Sequence, residues 1–288
     1  MKNAMQLKGI VKNIAKDKKI SAQLVLQNYM LERFLERLSR SDYRNNLIIK
    51  GGFLIASMVG LDSRTTMDMD VTVKHCRVSE ENIRKMVQEI TEINLEDHIT
   101  FTFKSIGEIR EGDEYTGYRV TLSANYSPMA VPIKLDITTG DKITPREIEY
   151  EYKLMMEDRS IYVLTYNMAT ILGEKLETVI SRGDQNTRPR DYYDIYILTK
   201  LHADKIDLET LAFALNATVM KRGTLSIIQR YHDIMKMVKN SNIMKQQWDN
   251  YRKDFDYAAD IEFTDVCNMV EYVMDSLPEI QSNINQND

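Results

Sequence analysis

The hydrophobic period changes once along this 288-residue chain, and that change limits what it can fold into. Between about residues 46 and 140, apolar residues come in short runs or alternate with polar ones, as strands require. From about residue 167 they recur every three or four positions, as helices require. A strand-rich first lobe followed by a helical one is therefore expected, an α+β chain with a boundary near residues 160 to 166.

Local signals place the pieces. SAQLVLQNYMLERFLERLSR, residues 21–40, carries Leu24, Met30, Phe34, Leu35 and Leu38 at helical spacing behind a Ser21 cap and predicts an amphipathic helix. NLIIKGG predicts a buried strand ending in two glycines, and FLIASMVG a helix packed on it. In DMDVTV, Asp68, Asp70 and Thr72 alternate with Met69, Val71 and Val73, so both carboxylates should share a strand face. Ser79 with Glu80 and Glu81 opens a helix reaching Ile93. ITFTFKSIGEI and GYRVTLSANY form a strand pair joined around Glu111-Gly112-Asp113, and VPIKLDITTGD is a further strand. In it Ile133, Leu135 and Ile137 face inward, while Lys134, Asp136 and Thr138 face outward.

In the second half, Asn167 caps a helix whose Met168, Ile171, Leu172, Leu176, Val179 and Ile180 form one stripe. Gly183 ends it, and Pro189 starts the next helix, RDYYDIYILTK. Helical patterns follow in DLETLAFALNATVMK, LSIIQRYHDIMKMVK, NIMKQQWDNYRKDF and DVCNMVEYVMDSL, before a polar, frayed QSNINQND.

Composition excludes several classes. Hydrophobic residues at 43% and charged residues at 28% suit a folded globular chain, and a formal charge of -5 does not suit a broad nucleic-acid-binding surface. There is no apolar run of membrane-spanning length and no signal-peptide pattern, so a cytoplasmic location is expected. Cys76 and Cys267 stand far apart and suggest neither a disulfide framework nor a zinc site, and His75-Cys76 lacks partner ligands at zinc-like spacing.

Two aspartates at i and i+2 on a strand, with a third from a neighbouring strand, can hold hard divalent cations; Asp68, Asp70 and Asp136 fit that plan. A glycine pair between strand and helix, here Gly51-Gly52, allows backbone N–H groups close to phosphate oxygens. Lys175 in GEKLE can neutralise phosphate charge, and Asp191 and Asp194 share a helix face. Taken singly, each is also what a solvated strand face, an exposed charge cluster or a helix start looks like; order and spacing together are what select the functional reading.

In that order and spacing, KGGFLIASMVGLDSRTTMDMDV, IKLDIT and GEKLETVISRGDQNTRPRDYYDIYIL resemble the AbiEii/AbiGii-type nucleotidyltransferase toxins of the polymerase-beta-like superfamily, over roughly residues 45 to 200. The resemblance implies a mixed-sheet nucleotidyltransferase core over residues 1–162, including the N-terminal helix, and a helical lobe over 163–288 that completes a nucleotide cleft. It implies two magnesium ions on Asp68 and Asp70, Lys175 on the triphosphate, and Asp191 as a functional acid. Gly51 and Gly52 match the family's phosphate-side turn, and Arg64 matches a family arginine that contacts phosphate or positions its loop. Asp136 is then a third metal ligand or the base for the attacking hydroxyl, with an outward structural aspartate as the competing reading.

The function expected is that of an NTP-dependent toxin of a toxin–antitoxin or abortive-infection system, a form of phage defence. It would join a nucleotide to RNA, foremost the tRNA 3′ end, or to protein, until a cognate antitoxin intervenes. A small-molecule, antibiotic-type nucleotidyltransferase and a catalytically idle binding module are the alternatives. Arg182, Arg188 and Arg190 form a locally basic rim suited to RNA phosphates, although they can equally pair with Glu174, Glu177 and Asp184.

Overall fold

A computed structural model of the chain describes residues 3–109 and 117–278. The expected connection at Glu111-Gly112-Asp113 and the polar tail QSNINQND lie outside the described residues. The chain divides into two compact units, Met1–Asp141 with Glu147–Thr165, and Lys142–Arg146 with Tyr166–Asp288.

The first unit is built on a seven-stranded mixed sheet. Its strands are β1 (Leu47–Lys50), β2 (Met69–Val73), β3 (Thr100–Ile109), β4 (Gly117–Tyr126), β5 (Met129–Thr139), β6 (Ile148–Lys153) and β7 (Ser160–Thr165), in the order β3-β4-β5-β2-β1-β7-β6. β2–β5 and β1–β7 are parallel, and the remaining pairs are antiparallel. The alternation expected for VPIKLDITTGD holds for Ile133, Leu135 and Ile137, which are buried. Thr138 departs from it: its position on the outward face is covered, because the Lys50 ammonium reaches across and donates to its hydroxyl at 2.7 Å. The strands β6 and β7 were not expected from the sequence, although IEYEYK alternates Ile148, Tyr150 and Tyr152 with charged residues and Ile161, Val163 and Thr165 of SIYVLT are buried in alternation.

Among the described residues, the helices of this unit are α1 (Ala4–Asp17), α2 (Ala22–Ser39), α3 (Gly51–Val59) and α4 (Glu80–Glu92). Ser21 and Ser79 cap as their sequence positions predict, accepting from the N–H groups of Leu24 and Asn82. α3 begins at Gly51 itself, so no separate glycine turn precedes it. α2 packs on β5 and β7 and α4 on β3. α2 is not the two-faced helix that its stripe suggests: Glu32, Arg33, Glu36 and Arg37 are buried with the leucines. Burial is tolerated because the charges pair. Arg33 meets Glu32 at 2.7 Å, Glu36 at 2.8 Å and Glu157 at 2.9 Å; Arg37 forks onto Asp97; Arg159 forks onto Glu36. Glu157 and Arg159 come from the β6–β7 connection, whose Met155 N–H also donates to Glu32 at 2.6 Å. An exposed polar face is thus replaced by an ionic core layer supplied from 120-odd residues away.

The second unit is helical: α5 (Met168–Arg182), α6 (Pro189–His202), α7 (Leu208–Arg222), α8 (Leu225–Ile228), α9 (Tyr231–Asn240), α10 (Asn242–Asp254) and α11 (Phe263–Ser276). Asn167 caps α5 through the Thr170 N–H, Gly183 ends it and Pro189 opens α6. LSIIQRYHDIMKMVK, expected as one helix, is broken into α8 and α9 at Gln229-Arg230. α5 crosses α7 at Gly173, where an added Cβ would lie 2.9 Å from the Leu215 backbone nitrogen. That glycine sets the position of the following Glu174-Lys175.

Burial pushes the Glu32 carboxyl up to about 7, only partly opposed by Arg33 and the Met155 N–H. With its folded value above the unfolded one, protonated Glu32 contributes stability below about pH 4.5, and that contribution is lost as pH rises through 7. Glu32→Gln should therefore gain on wild type by up to about 3 kcal/mol between pH 5 and pH 8. Chemical denaturation at both pH values measures it; a difference that does not change with pH would contradict the assignment.

Candidate active site

One rung of the sheet carries most of the chemistry in the first unit. Lys50 on β1 pairs with Asp70 on β2, Asp70 with Asp136 on β5, Asp136 with Arg119 on β4, and Arg119 with Gly107 on β3. Directly opposed residues project to the same face, so a cation, two carboxylates and a second cation stand in a row. Asp68 precedes β2, with its backbone carbonyl and carboxylate both near the Thr66 hydroxyl, at 3.1 and 3.3 Å.

The glycine pair sits against Asp70. Gly51 has φ +66°, and a Cβ on it would fall 2.0 Å from Asp70 Oδ2, so only glycine fits. The Gly52 N–H, in the first turn of α3, donates to the Asp70 carboxylate. Asp70 thereby satisfies a helix-terminal donor from another strand. A Cβ on Gly52 would meet the Arg64 guanidinium at 3.1 Å and the Thr66 hydroxyl at 3.1 Å. Arg64 is buried and donates to the Thr65 carbonyl, which is the geometry of a side chain that positions the loop leading to Asp68.

Electrostatics follow from this crowding. Burial raises the Asp70 carboxyl above its ordinary range, and Asp68 and then Asp136 add to the rise; Lys50 and the Gly52 N–H oppose it without reversing it. Lys50 itself is paired with Asp141 and Thr138. Asp136 is gripped by Arg119 through two hydrogen bonds of 2.7 and 2.6 Å. Among the described residues no group of three or more His, Cys, Asp or Glu side chains is placed to hold a metal ion. Asp68 and Asp70, acceptor-only and mutually repulsive, suit a hard divalent cation, whereas the third acid is already engaged.

In the second unit Lys175 donates to Asp191 and Asp194, each at 2.8 Å, with both acids buried. Burial alone would lower the Lys175 pKa, but the two carboxylates more than reverse it, so the ammonium is held charged. Arg188 Nε lies 3.0 Å from Asp191 Oδ2, yet that oxygen accepts no hydrogen bond: the distance is short, but the alignment is poor, and the contact is one of charge. Arg190 stacks over Phe255 at 5.2 Å. Glu177 pairs with Arg222 rather than with any arginine of the expected rim.

Of the residues singled out in the sequence, Asp70, Asp136, Gly51, Gly52, Arg64 and Asp68 lie around the rung of the first unit, and Lys175 and Asp191 pair within the second. Sequence reasoning missed Lys50, although this residue immediately precedes the glycines, and it missed Arg119, whose only signal is its register against Asp136. It placed Asp194 beside Asp191 but did not foresee that both close on Lys175.

A model of the family described as nucleotidyl transferase AbiEii toxin, Type IV TA system, matches residues 33–271. The chain belongs to the AbiEii nucleotidyltransferase toxin family. It is thus a nucleotidyltransferase of a Type IV toxin–antitoxin family, and AbiEii membership implies a cognate antitoxin. No curated protein matches the sequence. Similar solved structures are a candidate nucleotidyltransferase from H. pylori (16% identity, 92% of this chain and 100% of that one, TM-score 0.49) and JHP933 from Helicobacter pylori (15%, 89% and 94%, 0.48). An antigenic nucleotidyltransferase-like protein from Paracoccidioides brasiliensis is a more distant match (15%, 78% and 92%, 0.38). Among the described residues of this AbiEii chain no helix is long and apolar enough to cross a membrane.

Two outcomes follow from the geometry. Gly51→Ala should abolish transfer and lower the thermal midpoint, because strain and the Asp70 clash act together, whereas Gly52→Ala, facing side-chain ends only, should be milder; equal effects would contradict the assigned contacts. Lys175→Met leaves two buried carboxylates uncompensated and should cost about 3–5 kcal/mol of stability, partly recovered in Lys175→Met/Asp194→Leu. An unchanged denaturation midpoint for Lys175→Met would show that the triad is not structural.

Proposed function

We propose that this AbiEii chain is a magnesium-dependent toxin that transfers a nucleotide from an NTP to RNA, foremost the 3′ end of tRNA, and acts inside the cell in abortive infection. The observation that carries the reading is the sheet rung that sets Asp70 beside Asp136, with Asp68 two residues upstream. Nucleotidyl transfer concentrates negative charge on a triphosphate, and carboxylates held together in this way make sense where a cation offsets them.

Asp68 and Asp70 are assigned to the metal, with Asp136 as a third ligand or as the base that accepts the acceptor hydroxyl's proton. Bound magnesium supplies charge neutralisation on the phosphates and lowers the pKa of the attacking hydroxyl. The chain's own residues position: Gly51 lets the backbone approach Asp70, the Gly52 N–H orients the carboxylate, and Arg64 holds the loop on the phosphate side. Lys175 is assigned to phosphate charge; two of its three N–H groups go to Asp191 and Asp194, which makes Asp191 an acid that fixes Lys175 rather than one that titrates in the reaction. Arg188, half-exposed at the start of α6, supports an RNA acceptor through its capacity for phosphate.

The test is incubation with magnesium, each labelled NTP in turn, and total RNA or cell extract. Label is expected in the tRNA band, absent with chelator, absent with Asp68→Asn or Asp70→Asn, and reduced severalfold by Arg188→Ala. Label confined to protein or to a small-molecule fraction would overturn the RNA assignment, and transfer persisting in excess chelator would overturn the metal.

A further inference from the structure

We propose that Arg119 is a positioning residue that keeps Asp136 away from the metal until nucleotide arrives, so that cation and nucleotide binding are coupled. The inference rests on the metal reading above and concerns a residue that lies outside the sequence motifs.

Arg119 covers both oxygens of Asp136 in a fork of 2.7 and 2.6 Å. A forked guanidinium occupies two of the carboxylate's four in-plane lone-pair sites, one on each oxygen, and its charge repels a cation from the other two. Asp136 first, and behind it Asp68 and Asp70, raise the Arg119 pKa, so three carboxylates lie within its field. The opposite end of the rung differs: Lys50 is buried and tied to Asp141 and Thr138, so it cannot exchange partners without disrupting β5. Arg119 can, because 45% of its side chain is exposed while Asp136 is 13% exposed.

Among the described residues there is room for the movement on one side: the neighbour of Arg119 on β3 is Gly107, and a Cβ there would meet none of them within 4 Å. A triphosphate is the partner that can draw a guanidinium off a carboxylate, because it offers the same forked acceptor geometry with more charge. Once released, Asp136 joins Asp68 and Asp70. The two-carboxylate site of the free protein then becomes the three-carboxylate site that transfer needs.

The test is Mn2+ titration of the full-length protein without nucleotide, followed by isothermal calorimetry and by the electron paramagnetic resonance signal of free Mn2+, with thermal midpoints as a folding control. Removing a like charge beside the cation should tighten Mn2+ binding roughly tenfold in Arg119→Gln. The gain should disappear in Arg119→Gln/Asp136→Asn and be smaller in Arg119→Lys, which keeps the charge but loses the fork. A non-hydrolysable NTP should tighten Mn2+ binding to wild type more than to Arg119→Gln. Unchanged or weaker Mn2+ binding by folded Arg119→Gln overturns the proposal while leaving the metal site standing. Wild-type Mn2+ binding that is absent, or indifferent to Asp70→Asn, overturns the metal reading and this inference with it.

Discussion

The parallel pairing of β2 with β5 forces Asp70 and Asp136 onto one rung, and the rest of the first unit can be read as a response to that placement. Two carboxylates side by side repel, and each is costly to keep from water. The fold answers with a cation at either end of the rung, Lys50 and Arg119, and with the Gly52 N–H on Asp70. The glycine pair follows from the same demand: α3 can bring its first N–H groups to Asp70 only if Gly51 has no side chain and takes a positive φ. What resembles a loose turn in the sequence is the closest backbone approach in the site.

A similar solution recurs twice away from the rung. α2 buries Glu32, Arg33, Glu36 and Arg37 by pairing them with Asp97 and with the β6–β7 connection, which ties the helix to a distant hairpin by geometry rather than by apolar area. In the second unit Lys175 is buried between Asp191 and Asp194, with Gly173 two residues earlier allowing α5 to approach α7. Buried ion pairs contribute little net stability but penalise any arrangement that separates them. Residues assigned to phosphate chemistry are accordingly held by the same contacts that define the helix packing.

Much of this was legible in the sequence where the signal is local. The caps at Ser21, Ser79 and Asn167, the alternation Met69, Val71, Val73, and the stop at Gly183 depend on neighbours within a few residues and read directly. The paired aspartates and the glycines were legible for the same reason. Arg119 was not, because its role depends on β4 meeting β5 with Arg119 opposite Asp136, a register that no short window encodes. α2 looked two-faced because Glu and Arg at helical spacing ordinarily mark solvent; only Glu157 and Arg159, more than a hundred residues on, turn that face into core. β6 and β7 escaped although IEYEYK and SIYVLT carry strand-like residues; what no short window encodes is their pairing with each other and of β7 with β1.

The central claim is that Asp68 and Asp70 form the cation site of a nucleotidyltransferase, with Asp136 joining when nucleotide is bound. The most direct measurement is anomalous diffraction from crystals grown with Mn2+ and a non-hydrolysable NTP. The account predicts a manganese peak within coordination distance of the Asp68 and Asp70 carboxylates, with Asp136 turned from Arg119 toward it. A peak located away from both aspartates, or nucleotide bound with no metal beside them, would contradict it.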